Sequence, residues 1–296
     1  MDIMGSVNGE NKQERFKAFN RFRRVLLGRG LVVFGIFIIL VTIVTAVFAP
    51  LIAPYDPYKQ DLYNLLLNPC KDHLLGTDDL GRDTLSRIIY GSRASLMVGI
   101  FSIAVAAVIG MSLGLAAGYF GGVTNLLIMR FIDTLMAFPL MLKALVISAL
   151  LGGGLRDVVI ALGIGLIPNY SRMMCGQVLS LIENDYIIAA RAIGSGPVRI
   201  MLRHLLPNSL APMIVLMTMM MGHAILAEAG LSFLGVGIAP PGAAWGAMVS
   251  EGYQYLLTNP ILSIGPGFAI MLVVFSFNMV GDGLRDALDP RLRGKL

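Results

Sequence analysis

The chain has 296 residues, of which 56% are hydrophobic and 14% are charged, and its mean hydropathy is +0.76. Since a soluble domain carries roughly 25% charged residues, this composition excludes an ordinary soluble protein and predicts an all-α integral membrane protein. The net charge of +5 does not indicate nucleic-acid binding, because the basic residues flank apolar segments instead of sharing one soluble face.

Six apolar windows are candidates to cross a hydrocarbon core of about 30 Å, which takes roughly 20 helical residues. They cover residues 31–49, 94–118, 131–155, 158–176, 210–227 and 261–281. The third contains Asp133 and Lys143, and the fourth is the weakest because Pro168 interrupts a short apolar run. The chain is thus predicted to comprise an N-terminal tail (1–30), a first span (31–49), an outer segment (50–93), a core of five spans (94–283) and a C-terminal tail (284–296).

The distribution of Lys and Arg predicts the orientation of these spans. Seven basic residues precede the first span, which places the N-terminus in the cytoplasm, and six spans return the C-terminus there. With this threading, 15 Lys and Arg lie inside and six outside, while Lys143 and Arg172 fall within spans. We therefore expect a multi-pass protein of the inner or plasma membrane with both termini cytoplasmic.

Two features of the outer half suggest structure at the membrane surface. Residues 82–93 place Leu85, Ile88 and Ile89 on one face, which predicts an interfacial helix. Trp245 is predicted to anchor the outer interface. Three acidic residues follow Thr77: Asp78, Asp79 and Asp83. They are interpreted as marking the start of a helix, and the alternative is that they contact a cation or a partner protein.

Several residues within the spans are unusual for lipid-facing positions. Lys143, near the middle of the third span, must face protein or water. It either pairs with an acid of a partner or bends toward an interface, or it lines the translocation path. Glu228 either lines the gate or lies at the outer interface.

Two further patterns concern packing within the spans. Glycines recur every fourth residue of the second span, which lets another helix approach closely; they are Gly110, Gly114 and Gly118. One face of the fifth span is interpreted as packing, with a soft-metal site as the alternative; it comprises Met213, Met217, Met220 and His223.

The longest predicted cytoplasmic connection, 177–209, contains two helix-compatible runs separated by a break at 194–197. It is either a docking surface for a partner or an ordinary interhelical loop. The sequence has no phosphate-binding Gly-x-x-x-x-Gly-Lys-Ser/Thr loop, no metal-ligand spacing and no Ser, His, Asp set. We therefore predict no enzyme, no catalytic residue, and no metal or cofactor of its own, so energy must come from an ion gradient or a separate ATPase.

Six stretches carry a resemblance to a known family. Residues 186–194 read YIIAARAIG and residues 203–208 read RHLLPN. Together they resemble the EAA motif of permease subunits in ATP-binding-cassette importers of the dipeptide, oligopeptide and nickel class. Other segments of that family have similar stretches here, in the same order along the chain. They are HLLGTDDLGRD at 73–83, EAGLSFLG at 228–235 with WG at 245–246, and GDGLRDALDPR at 281–291.

The resemblance implies a type I importer permease fold with a cytoplasmic coupling helix. It implies as partners a homologous second permease, two ATPases that bind the ATP, an extracytoplasmic binding protein and membrane lipids, and no nucleic acid. The coupling role carries over to the residues that match the motif: Asp185, Tyr186, Ala189, Ala190, Arg191 and Gly194. Small Ala residues permit close docking, and Gly194 permits a turn that a side chain would obstruct.

Ile188 departs from the motif, which has Glu at this position, so we expect a changed contact with the ATPase. A peptide or related small solute is the first interpretation of the cargo, and nickel or a metal chelate is the alternative. Both stay open, because such importers select their solute mainly through the binding protein. Two other classes fit less well. A secondary transporter would show internal repeats with ionisable groups at the midplane, and a channel would show a filter or a charged ring.

Overall fold

The computed structural model describes residues 26–238 and 241–288, and these residues form helices joined by loops, without a regular β-strand. Most of both predicted tails, including six of the seven basic N-terminal residues, lies outside the described residues. The helices are α1 (Gly30–Val47), α2 (Ala49–Ile52), α3 (Thr84–Phe120), α4 (Gly122–Ala137), α5 (Leu140–Leu151), α6 (Leu155–Leu181), α7 (Asp185–Ala192), α8 (Pro197–Ile200), α9 (Leu206–Phe233), α10 (Trp245–Tyr253) and α11 (Ile261–Leu288). A π-helical turn, Met201–Leu205, joins α8 to α9.

Five helical segments are long and apolar enough to cross a membrane, and α4 with α5 adds a sixth crossing if this bent pair is one span. The two helices of the pair meet at 87°. The predicted third span is therefore not one straight helix. Phe138 is extended because a residue that precedes a proline is disfavoured in the α region, and Pro139 then starts α5. The fourth span, predicted to be the weakest, is the continuous helix α6, which accommodates Pro168.

The glycines of α3 allow this helix to approach α6 closely, as predicted. A Cβ atom on Gly110 would lie 2.7 Å from Tyr170 Cβ, and one on Gly118 would lie 2.7 Å from Val178 Cβ. No side chain fits in that space, so these positions require glycine. The main hydrophobic cluster lies beside this contact, and Met213, Met217 and Met220 pack in it or against it, which agrees with the packing interpretation of the methionine face.

Helix α3 begins ten residues before the predicted second span, so residues 84–93 are its first turns and not a separate interfacial helix. Asp83 provides the N-cap, because its carboxylate accepts a hydrogen bond from the backbone N–H of Ser86 at 2.8 Å. The predicted helix start after Thr77 is therefore displaced to Asp83. Arg93 links this region to α1 by donating to the carbonyl oxygens of Ala46 and Val47.

Candidate functional site

The connection between α6 and α9 forms a helical elbow, residues 182–205, made of α7, a short loop, α8 and the π-helical turn. One face of α7 packs on the main core through Ile187 and Ala190, which are 0% and 6% exposed. These residues are three positions apart and so share a helix face. The predicted docking contact through Ala190 is therefore corrected, because its methyl group lies inside the permease. Ala189 lies on the exposed side.

Helix α7 ends in a Schellman motif that depends on Gly194. The N–H of Ser195 donates to the carbonyl oxygen of Ala190 at 3.0 Å, and the N–H of Gly194 donates to the carbonyl oxygen of Arg191 at 2.9 Å. This pattern needs a left-handed residue, and Gly194 has φ +80°. No atom lies within 4 Å of the position of a Cβ on Gly194. Backbone conformation, rather than space, therefore favours glycine here.

The outward face of the elbow is unusually apolar. We call it the elbow surface; its large exposed side chains are Tyr186, Ile188, Ile193, Val198 and Leu202. Ile193 is 82% exposed and Ile188 is 54% exposed. Exposed apolar side chains that cluster in one segment often mark a protein interface. Ile188, where the motif has Glu, thus offers an apolar contact in place of a carboxylate.

The polar residues predicted for coupling flank this surface. Asp185 is exposed in the first turn of α7, where a negative charge interacts favourably with the helix dipole. The guanidinium of Arg191 lies 5.3 Å from the centroid of the Tyr119 ring at the end of α3. This cation–π contact connects α7 to α3 and so links the elbow to the long helices.

Lys143 compensates the break between α4 and α5. Its Nζ donates to the carbonyl oxygen of Leu135 at 2.6 Å and to that of Gly165 at 3.4 Å. The last carbonyls of α4 have no partners within the helix, and a cation near them is favourable. Lys143 thus faces protein, as predicted, but it contacts carbonyls of its own chain instead of an acid of a partner or an interface. Its role on the translocation path stays a prediction.

Glu228 is buried completely within this chain. One carboxylate oxygen accepts a hydrogen bond from Ser232 Oγ at 2.7 Å, and the other has no partner among the described residues. In this conformation the side chain faces neither an open path nor the outer interface. Its part in gating stays a prediction.

Sequence reasoning did not pair Asp133 with Arg172. Arg172 Nη2 lies 2.5 Å from Asp133 Oδ1, which connects α6 to α4, and their side chains are 50% and 43% exposed. The signal was present, since both charges lie within apolar windows. Their pairing became visible only when the break at Pro139 placed α4 beside α6.

A buried ion-pair cluster ties the outer segment to α10. Asp78 bonds to Arg82 and Arg87, and Glu251 lies 3.2 Å from Arg82 Nη2 and 3.3 Å from Arg87 Nη1. Carboxylate oxygens of Asp78, Asp79 and Glu251 lie within 4.8 Å of one another, as a metal site would require. Two guanidinium groups already contact these three carboxylates, so the geometry is that of an ion-pair network.

Trp245 joins the same part of the fold. Its indole N–H donates to the carbonyl of Ile88 at 2.8 Å, and the residue is 3% exposed. The predicted interfacial anchor is therefore wrong. A buried Trp satisfies its N–H within the protein, and here it fills the space beside Gly91, where a Cβ would lie 2.6 Å from the indole.

Comparison with known proteins places these features in a family. The family described as binding-protein-dependent transport system inner membrane component matches residues 110–294, and the N-terminal TM domain of oligopeptide transport permease C matches residues 18–69. The dipeptide transport system permease protein DppC of Alkalihalophilus pseudofirmus is 43% identical over 97% of this chain and 95% of its own. The glutathione transport system permease protein GsiD of Pectobacterium atrosepticum is 43% identical over 92% and 90%.

The fold is also similar to a solved structure from inward-facing conformations of the MetNI methionine ABC transporter. The TM-score is 0.54 at 20% identity, and the alignment covers 69% of this chain and 96% of the other. This likeness supports the type I importer permease fold. The chain therefore belongs to the family of binding-protein-dependent transport system inner membrane components, and it is a membrane-embedded permease of the ATP-binding-cassette importer type.

Proposed function

We propose that this permease carries di- or oligopeptides, or related small solutes, into the cell by alternating access. The names of the relatives for dipeptide and glutathione transport support this solute class. Separate subunits would hydrolyse the ATP, so that the chain has no catalytic residue and holds no cofactor of its own. Both termini would lie in the cytoplasm, which puts the elbow surface on the side of the ATPases.

The elbow surface is the observation that carries this proposal. A short helix that exposes Tyr186 and Ile188 while Ile187 is anchored in the core can transmit a push from a docked protein to α6 and α9. The Arg191–Tyr119 contact extends the connection to α3. Movement of a docked ATPase pair would therefore reach three of the long helices at once.

The assembly that this requires contains a homologous second permease, two ATPases and an extracytoplasmic binding protein. In this assembly the outer segment 50–93 and the loop after α9 would lie on the side of the binding protein. The outer ion-pair cluster would hold this segment in a fixed position against α10. The solute would then be chosen largely by the binding protein and delivered to the outer ends of the spans.

Copurification of the ATPases with the co-expressed complex tests the coupling role. Ile188→Asp places a charge in the proposed apolar contact and should remove the ATPases from the purified complex. Leu62→Asp is the matched control, because Leu62 is 69% exposed in the outer segment and its variant should retain them. Equal ATPase content in both variants and wild type would overturn the docking role of the elbow surface.

A further inference from the structure

An open cavity of about 410 Å³ lies where α2 and the loop that follows it meet the first turns of α3. We call it the tyrosine cavity; its polar lining is Tyr55, Asp56, Tyr58 and Tyr90. Prolines and an alanine within residues 50–57 complete the lining. Three aromatic side chains and one carboxylate thus surround a space that has no part in the elbow or in the outer ion-pair cluster.

The contacts between α1 and α3 place this cavity at a membrane–water interface. Helix α1 has 18 residues and so spans about 27 Å, close to the thickness of a hydrocarbon core. Arg93 of α3 donates to the carbonyl oxygens of Ala46 and Val47, so it is level with the end of α1. Tyr90 precedes Arg93 by about one turn and lies farther from the apolar window 94–118. The cavity therefore lies in the headgroup layer, where Tyr side chains are frequent.

The polar lining of the cavity suits a cation. The rings of Tyr58 and Tyr90 meet at 72° with their centroids 6.1 Å apart. Asp56 Oδ1 accepts a hydrogen bond from the N–H of Tyr58 at 2.9 Å, and among the described residues Asp56 forms no ion pair. Aromatic rings attract ammonium groups, and a carboxylate accepts their hydrogen bonds. The cavity therefore matches a ligand that carries an ammonium group.

The surroundings of the cavity favour a lipid over a soluble cation. The guanidinium of Arg93 lies 5.3 Å from the centroid of the Tyr90 ring. Its hydrogen bonds to α1 use Nε and Nη2, so Nη1 can donate to a phosphate oxygen. Beyond Arg93, the end of α1 and α2 expose large apolar side chains: Val44, Val47, Phe48, Leu51 and Ile52. Ammonium, phosphate and acyl chains follow one another in this order in a phospholipid.

We propose that the tyrosine cavity binds the headgroup of a phospholipid of the ethanolamine class. Asp56 and the rings of Tyr58 and Tyr90 hold the ammonium group, Arg93 holds the phosphate, and the acyl chains lie along α1 and α2. The bound lipid fastens the start of the outer segment to the bilayer. Because the site is separate from the elbow surface, this inference does not depend on which solute the permease carries.

Native mass spectrometry of the complete complex in detergent tests the recognition of the ammonium group. The probes are phosphatidylethanolamine and its N-acetyl derivative, which keeps the phosphate and the acyl chains but has no ammonium group. Wild type should bind the first about fivefold more tightly, the gain expected from an ammonium group beside partly exposed aromatic rings. Asp56→Asn and Tyr90→Leu should each bring the two affinities close together. Equal affinity of wild type for both lipids would overturn the proposal.

Tyr63→Leu is the matched control for Tyr90→Leu. Tyr63 is 98% exposed in the same outer segment and does not line the cavity, so its variant should keep the preference of wild type. If Tyr90→Leu does not assemble, Tyr58→Leu removes the second ring and takes its place in the comparison. Loss of the preference in Tyr63→Leu, or its retention in both cavity variants, would contradict the assignment of the site.

Photocrosslinking tests whether the ligand is a lipid at this place. Phosphatidylethanolamine with a photoactivatable group in one acyl chain should label residues 44–53, and the labelling should fall in Asp56→Asn. Phosphoethanolamine, the soluble headgroup, should not displace the lipid at an equal concentration. Displacement would identify a soluble cation as the ligand, and unchanged labelling in Asp56→Asn would show lipid contact without headgroup recognition. Either result would overturn the proposal.

Discussion

Asp78 is the acid on which two buried guanidinium groups converge. Its Oδ2 lies 2.7 Å from Arg82 Nε and also bonds to Arg87 Nη1. The side chains of Arg82 and Arg87 are only 3% and 1% exposed. Asp78→Asn keeps the shape of the side chain and removes the charge, so it tests how far the cluster stabilises the outer half of the fold.

The expected loss follows from the burial of the two arginines. Removing one partner of a buried ion pair costs about 3–5 kcal/mol, because the remaining charge stays buried without compensation. Glu251 still lies 3.3 Å from Arg87 Nη1, so we expect the lower end, about 3 kcal/mol. At about 2–4 °C per kcal/mol, the melting temperature should fall by roughly 6–12 °C.

Asp79→Asn is the matched control in the neighbouring residue. The Asp79 side chain is 38% exposed, and its Oδ1 lies 3.8 Å from Arg82 Nη2. Because this separation is long and the Asp79 carboxylate is exposed to solvent, the contact contributes about 0–1 kcal/mol, so the melting temperature should change by no more than about 4 °C. Thermal unfolding of both variants in detergent, monitored by intrinsic fluorescence, gives the two melting temperatures. Equal shifts for Asp78→Asn and Asp79→Asn would refute the assignment of a buried cluster centred on Asp78.

Three other outcomes are expected. Gly194→Trp in the full complex should abolish uptake and leave the affinity of the binding protein unchanged, and wild-type uptake would contradict the coupling role. Gly114→Ala should lower the melting temperature, because its Cβ would lie 2.8 Å from Met174 Cβ, whereas Gly176→Ala, with no atom within 4 Å, should not. In intact cells an impermeant maleimide should label the exposed Cys70 and not Cys175; the reverse would overturn the orientation.

Hydropathy predicted most of the spanning helices, because a helix in contact with lipid must consist largely of apolar residues. The window 31–49 matches both ends of α1 within two residues. The window 261–281 begins at the same residue as α11, which extends seven residues further. The break in the third span had a local signal in Pro139, but the apolar run on both sides concealed it. A proline sets the conformation of the preceding residue and does not by itself give the angle between two helices.

The outer half could not be predicted in the same way, because its contacts join distant parts of the chain. Arg82 reaches Glu251 across 169 residues, and Trp245 reaches Ile88 across 157. Read alone, each looked like a residue of the membrane surface. The face that α7 buries was not predicted either: Ala190 was expected to contact the ATPase, but it shares a helix face with Ile187, and both are buried by a core that other helices form.

Uptake of a labelled dipeptide tests the central claim most directly. The proteoliposomes contain this chain, a second permease and two ATPases, and the binding protein is added to the face that exposes Cys70. We predict that uptake requires both ATP on the opposite side and the binding protein, and that Ile188→Asp abolishes it. Uptake driven by a proton or sodium gradient, without ATP or the ATPases, would contradict the account.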